Sequence, residues 1–210
     1  MAEPVRSRGT VRGGKAERTR KRILDAAARV LSVNGYAGFR LADVAEAAQL
    51  QPPTIYYHYP SREDLIEEVM WAGIADMREH VVAALDAADP DTSPLDLLML
   101  AVEAHLRHAL EISDYTTASV RNAGQVSPSI RKRQLKEEVR YGAVWRRLIE
   151  QMQRAGQFRS DLDPYVAQML VFGALNWTPE WWKPRRVSLD VVVANAQSVI
   201  RHGLADPAGT

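Results

Sequence analysis

At 210 residues the chain is long enough for one large domain or two modest ones, and its 46% apolar content allows a real core, which argues against global disorder. The absence of cysteine excludes a disulfide framework, thiolate zinc sites and a cysteine nucleophile, and fits a reducing compartment. The net charge of +1 hides an asymmetry: residues 1–22 carry Arg6, Arg8, Arg12, Lys15, Arg18, Arg20, Lys21 and Arg22 against Glu3 and Glu17, a local +6 that leaves −5 for the remainder. Charge sorted this way points one end of the molecule at a polyanion, although a solvated tail standing alone would read the same. No signal-peptide pattern opens the chain, and no apolar run approaches the roughly 18–20 residues that cross a bilayer, so a cytoplasmic protein without a membrane partner is expected.

Residues 1–14 lack apolar period and read as a disordered basic arm. In 15–34, Ile23, Ala27, Val30 and Leu31 recur at helical spacing, and Asn34-Gly35 is a stop. Leu41, Val44, Ala45 and Ala48 form the stripe of a second helix over 41–48, and a third spans 52–59. Ser61, with Glu63 and Asp64 in the first turn, opens a fourth helix over about 62–88. Ser93-Pro94, Ser127-Pro128 and Asp163-Pro164 each pair a capping side chain with proline at the first helical position. They predict helices near 94–112, 128–155 and 164–178, with a short one at 115–123 and a last one over 189–203 after the Ser188 cap. The expected fold is all-α, with about nine helices and no internal repeat.

The second and third helices are joined by only Gln49-Leu50-Gln51, a spacing that forces a steep angle, as in a helix-turn-helix. The first helix supplies the third wall of a small core that also takes Leu50, Ile55 and Tyr59. Helical period leaves Pro52, Thr54, Tyr57 and His58 outward, with Tyr56 partly so. Thr54 and Tyr57 suit base edges and thymine methyls; Tyr56 and His58 suit phosphates, and Arg62 at the next helix start lies within reach of the DNA backbone. A Tyr-Tyr-His-Tyr run could instead pack its rings inward, but the turn length and the basic segment with Arg18, Arg20 and Lys21 favour the groove reading.

These residues resemble the TetR family of bacterial transcriptional repressors. The match reads Leu41-Ala42-Asp43-Val44-Ala45, Thr54-Ile55-Tyr56-Tyr57-His58-Tyr59 and Ser61-Arg62-Glu63-Asp64-Leu65, across about 17–66. Departures are Arg40 where Ser or Thr usually caps the second helix, Gln49 for the turn glycine, and Gln51-Pro52-Pro53 for Ser-x-Gly. Arg40 adds a possible phosphate or guanine contact, and Pro52-Pro53 stiffens the entry to the reading helix. Gln51 joins the predicted DNA set.

The resemblance implies three parts: the basic arm 1–14, a helix-turn-helix DNA-binding domain over 15–61, and a ligand-binding and dimerisation domain over 62–210. One reading helix per head calls for a homodimer on a palindromic double-stranded DNA operator. The family dimerises through its last two long helices, which here offer Ala167, Leu170, Gly173, Ala174, Val192, Ala196 and Val199. The implied pocket draws on Met99, His105, Arg121, Asn122, Arg140, Tyr141, Trp145, Phe158, Asn176, Trp177 and Trp181, any one of which is more often core. Gly156-Gln157-Phe158-Arg159, Gly173-Ala174-Leu175-Asn176-Trp177 and Glu180-Trp181-Trp182-Lys183-Pro184 are similar to the branch that represses lipid and sterol catabolism and responds to acyl-CoA thioesters. That implies a small-molecule effector with an anionic head, for which Arg121, Arg140 or Arg146 could pair with phosphate. The fourth helix is the expected lever, as the only joint between head and body.

The rival reading is a helical metal-binding or hydrolytic enzyme using His105 and His108, at i, i+3, with Glu111 one turn on. No third histidine, Gly-rich phosphate loop, Ser-centred elbow or paired-acid signature accompanies them, so no enzyme activity, metal or cofactor is expected. A DNA architectural protein that takes no ligand is disfavoured, because DNA binding needs only the head.

Overall fold

The computed structural model describes residues 10–112 and 114–206; the arm residues 1–9, with Arg6 and Arg8, and the side chain of Arg12 lie outside the described residues. The described chain is all-α: α1 (Thr10–Gly38), α2 (Leu41–Ala47), α3 (Pro52–His58), α4 (Arg62–Asp86), α5 (Pro94–Arg107), α6 (Asp114–Asn122), α7 (Lys132–Arg154), α8 (Pro164–Trp181) and α9 (Leu189–Leu204). The stop at Asn34-Gly35 is a kink within α1, where Gly35 takes φ 67 and ψ 176 and a last short turn follows to Gly38. That left-handed φ is open to glycine without steric cost.

The head core is the expected one. Ile23, Ala27, Leu31, Val44 and Ile55 have no exposed surface, and Leu41 and Leu50 pack half-buried against them. The α2–α3 turn is a Schellman closure: Leu50 N–H donates to the Ala45 carbonyl at 2.9 Å and Gln49 N–H to Glu46 at 2.9 Å. Gln49 stands at the left-handed position with φ 54, a conformation that costs a side-chain-bearing residue roughly 1–2 kcal/mol. Arg22 on α1 donates to the Ala48 carbonyl at 2.6 Å and so fastens the end of α2.

Ser61 and Asp64 form a reciprocal capping box at the start of α4. Ser93, Asp163 and Ser188 cap α5, α8 and α9 as their sequences predict. Ser127-Pro128 does not start a helix. The Ser127 hydroxyl pairs with that of Ser129, its carbonyl accepts from Ile130 and Arg131 N–H, and α7 begins only at Lys132. The helix expected to reach 112 ends at Arg107 and continues as a π-turn over His108–Ile112.

Helix α4 is not the only joint between head and body. Ala118 and Val126, from α6 and the segment after it, are buried in the same cluster as the head residues Ile23, Leu31 and Ile55. Helix α6 also grips α4: Ser119 Oγ donates to the Met70 carbonyl at 2.7 Å and Thr116 Oγ1 to the Gly73 carbonyl at 3.2 Å. The approach is so close that a Cβ on Gly73 would lie 2.3 Å from both the Tyr115 carbonyl oxygen and Ser119 Oγ. Gly73→Ala should therefore push α4 from α6 and destabilise the protein by about 1–3 kcal/mol, measured by thermal or urea unfolding; an unchanged midpoint would refute this contact.

Candidate functional site

The three-helix head presents α3 outward. Its start is preset by Pro52 and Pro53 behind Gln51 in extended conformation, where missing N–H groups cost nothing. Ile55 points into the core while Tyr57 is 85% and Tyr56 55% exposed, so the exposed rings face outward with no partner of their own to pack against in the core. The Tyr57 ring meets His58 edge-on at 5.2 Å. Thr54 and His58 are half-buried beside them, and Gln51, Pro52 and Arg40 are exposed.

Of the predicted basic contacts, Arg18 and Lys21 are exposed, with Lys21 also 2.9 Å from Asp25 one turn on. Arg20 divides its charge: it pairs with Glu68 on α4 at 3.1 Å and lies over the Tyr59 ring at 5.3 Å. Burial pushes the Tyr59 phenol up to about 12, so that contact is between a cation and a neutral ring. Arg62 is turned to internal work. It donates to the carbonyls of Tyr36 and Phe39 and stacks over the Tyr36 ring at 4.5 Å, which ties α4 to the end of α1.

Between α6, α7 and α8, floored by Ile74 and Met77 of α4, lies a cavity of about 950 Å³. Of the residues expected there, His105, Tyr141 and Asn176 line it. His105 Nδ1 and the Tyr141 hydroxyl are 2.9 Å apart. Burial, with a smaller push from His108, holds the His105 imidazole down to about 3, so it is neutral at physiological pH. Phe172 closes the aromatic wall, 5.7 Å from the Tyr141 ring and 5.1 Å from Trp145. Trp145 is 1% exposed and supports this wall from behind.

The other expected ligand residues lie elsewhere. Met99 is core, and its carbonyl accepts from Gln197. Arg140 is held by Glu137 at 2.9 Å, and the same carboxylate takes Arg78 of α4 at 2.5 Å. Arg121 forks onto Glu180 at 2.7 and 3.3 Å and donates to the Ser32 carbonyl of α1 at 3.1 Å. Asn122 is buried and structural: its Oδ1 accepts from Tyr36 N–H at 2.7 Å while Nδ2 donates to the carbonyls of Leu31 and Ala118. Arg121, Asn122 and Trp177 instead line a smaller crevice of about 390 Å³ beside Gly35, which shares Val120 and Asn176 with the main cavity. Phe158 is core and Trp181 is exposed on α8.

Sequence reasoning passed over Arg131, Gln134 and Glu138, which line the cavity from the N-cap and first turns of α7. Their i, i+3, i+7 spacing was the available signal. Burial pushes the Glu138 carboxyl above the usual carboxylate range, against smaller opposing pulls from Arg131 and the Gln134 hydrogen bond. Arg146, also on the lining, is exposed.

The outer face of α8 carries Val166, Leu170, Gly173 and Trp177 at helical spacing, and α9 adds Val191 and Val199; Leu170 is 70% and Val199 73% exposed. Ala174 is exposed beside them and Ala196 half-buried. Ala167 and Val192, expected on this face, are instead buried in the body's own core, because each sits on the inward stripe of its helix.

The metal trio is not assembled. His105 faces Tyr141, whereas His108 lies 3.2 Å from Asp76 and 4.7 Å from the His80 ring, and Glu111 is exposed. Among the described residues no three His, Cys, Asp or Glu side chains converge in a way that could hold a metal ion.

Comparison with known proteins agrees with this architecture. A profile described as bacterial regulatory proteins, tetR family, matches residues 23–69, and one described as tetracyclin repressor-like, C-terminal domain, matches 91–204. The chain is 30% identical to the HTH-type transcriptional repressor NicS of Pseudomonas putida over 72% of its own length and 71% of the relative's. It is 25% identical to the HTH-type transcriptional repressor KstR2 of Rhodococcus jostii, over 92% and 94%. Among solved structures, AibR in complex with isovaleryl coenzyme A and operator DNA superposes with a TM-score of 0.77 at 18% identity, covering 86% of this chain and 97% of that one. The chain belongs to the TetR family of bacterial transcriptional regulators.

Proposed function

We propose that this regulator is a repressor that occupies a palindromic operator as a homodimer in the cytoplasm and lets go when an acyl-CoA thioester enters the body of each subunit. The domains divide as head (15–61) and body (62–210), with α8 and α9 pairing across the two-fold through Leu170, Gly173, Trp177 and Val199. The observation that carries the effector reading is Arg146. It stands at the rim of an apolar cavity, with no ion pair to any described residue, whereas Arg121 and Arg140 are each committed to a glutamate. A free guanidinium beside an apolar chamber suits a ligand with a phosphate head and an acyl body. The isovaleryl coenzyme A bound by AibR supports the same class. Among the described residues no helix is long and apolar enough to cross a membrane.

On DNA, Tyr57 reads bases while Arg18 meets phosphate. In binding assays across operator variants and salt, Tyr57→Ala should lose about 1–3 kcal/mol of discrimination at the bases it reads. Arg18→Ala should weaken all sequences alike and lower the salt slope by about one. Equal loss of specificity in both variants would contradict the assignment. For the effector, micromolar acyl-CoA thioesters of graded chain length should raise the melting temperature and release DNA, with Arg146→Ala needing at least about tenfold more ligand. Neither release nor a thermal shift with any thioester would overturn the effector reading.

A further inference from the structure

The cavity wall carries polar groups that an acyl chain alone would leave unmet. On α7, Gln134 has no exposed surface; its Nε2 donates to Glu138 Oε1 at 2.9 Å, and its own Oε1 has no partner. Glu138 Oε2 lies 3.9 Å from Arg131 Nη2, too long for a hydrogen bond. Arg131 donates through Nη1 to the Ala123 carbonyl, and its Nε is buried without a partner. One acceptor and one donor are thus buried without partners at the start of α7, beside Glu138, whose side chain is 36% exposed and keeps Oε2 without a hydrogen bond, on a chamber whose other walls include Leu135, Met169 and Phe172. Each buried polar group left unpaired costs about 1–3 kcal/mol, and native proteins rarely keep them without a use.

The chemistry of the group narrows what could complete it. A ketone only accepts, so it could take the Arg131 N–H but would leave the Gln134 oxygen bare. A carboxylate would meet two acceptors, and an ammonium would sit against the Arg131 guanidinium. A hydroxyl both donates and accepts, and it still does so if Glu138 is protonated. Arg146 lies eight residues further along α7, about 12 Å at 1.5 Å per residue, so one ligand can reach both ends.

We infer that Arg131, Gln134 and Glu138 form a specificity site for a hydroxyl group on the effector's apolar portion, so that the regulator prefers a hydroxylated acyl chain to a plain one. This rests on the ligand-cavity reading above. The site shares its cavity with Thr116 and Ser119, the hydroxyls that hold α6 to α4.

The test measures affinity of the full-length protein by calorimetry for two matched pairs: decanoyl-CoA against omega-hydroxydecanoyl-CoA, and methyl decanoate against methyl 10-hydroxydecanoate. The expected result is at least about tenfold tighter binding of the hydroxylated member, a preference lost in Glu138→Leu and in Gln134→Met but kept within about threefold in Glu138→Gln. Preference within the ester pair but no binding of either thioester would keep this inference and sink the acyl-CoA reading. Equal affinity within both pairs for the wild-type protein, failure of all four ligands to bind, or a preference that survives Glu138→Leu would overturn it. The wild-type comparison decides even if a variant fails to fold.

Discussion

The amide of Asn122 is the interaction on which the rest of this structure depends. Where Gly35 breaks α1, the next N–H, that of Tyr36, loses its helical acceptor, and Asn122 Oδ1 takes its place at 2.7 Å. The same side chain holds the Leu31 carbonyl before the kink and the Ala118 carbonyl one turn back on α6. It is 1% exposed, so these bonds form in a medium where water cannot substitute and losing one leaves a buried group unmet. Arg62 and Arg121 reinforce the joint: one grips the Tyr36 carbonyl from α4, the other the Ser32 carbonyl from α6. The end of α1 is thereby held from two body helices at once.

That joint turns a ligand chamber into a regulator of DNA binding. Helix α6 carries Thr116 and Ser119 on the cavity side, bonds α4 through those same hydroxyls, and places Ala118 in the head core. A ligand that fits better when α6 is displaced must shift the population of head positions, by as much as its affinity differs between the two states. The two helices approach closely at Gly73, where a Cβ would lie 2.3 Å from the Tyr115 carbonyl oxygen. On the proposed function, coupling would run through these packed helices and buried hydrogen bonds rather than through α4 alone.

How much was legible in the sequence follows from whether a signal is local. The head was legible because its elements are short, its turn is only three residues, and the apolar period of Ile23, Val44 and Ile55 has a single inward solution. The caps at Ser93 and Asp163 were legible for the same reason, yet Ser127-Pro128 carries an identical local signal and forms a turn, because Arg131 draws the segment back onto the Ala123 carbonyl. Polar residues of the body were legible only as polar. Asn122 and Arg121 read as ligand contacts until their partners 86 to 91 and 59 to 89 residues away in sequence were visible. Helices α8 and α9 are apolar on two faces, so pattern alone could not tell the inward Ala167 and Val192 from the outward Leu170 and Val199.

The measurement that tests the account most directly is hydrogen exchange at the Tyr36 amide, followed in the dimer with and without saturating decanoyl-CoA. Because that N–H is held by α6 rather than by its own helix, the account predicts slow exchange in the empty protein and at least about tenfold faster exchange when ligand releases DNA, with the Ile55 amide of the head unchanged. Unaltered protection at Tyr36 in a protein that has released its operator would contradict transmission through the Asn122 joint.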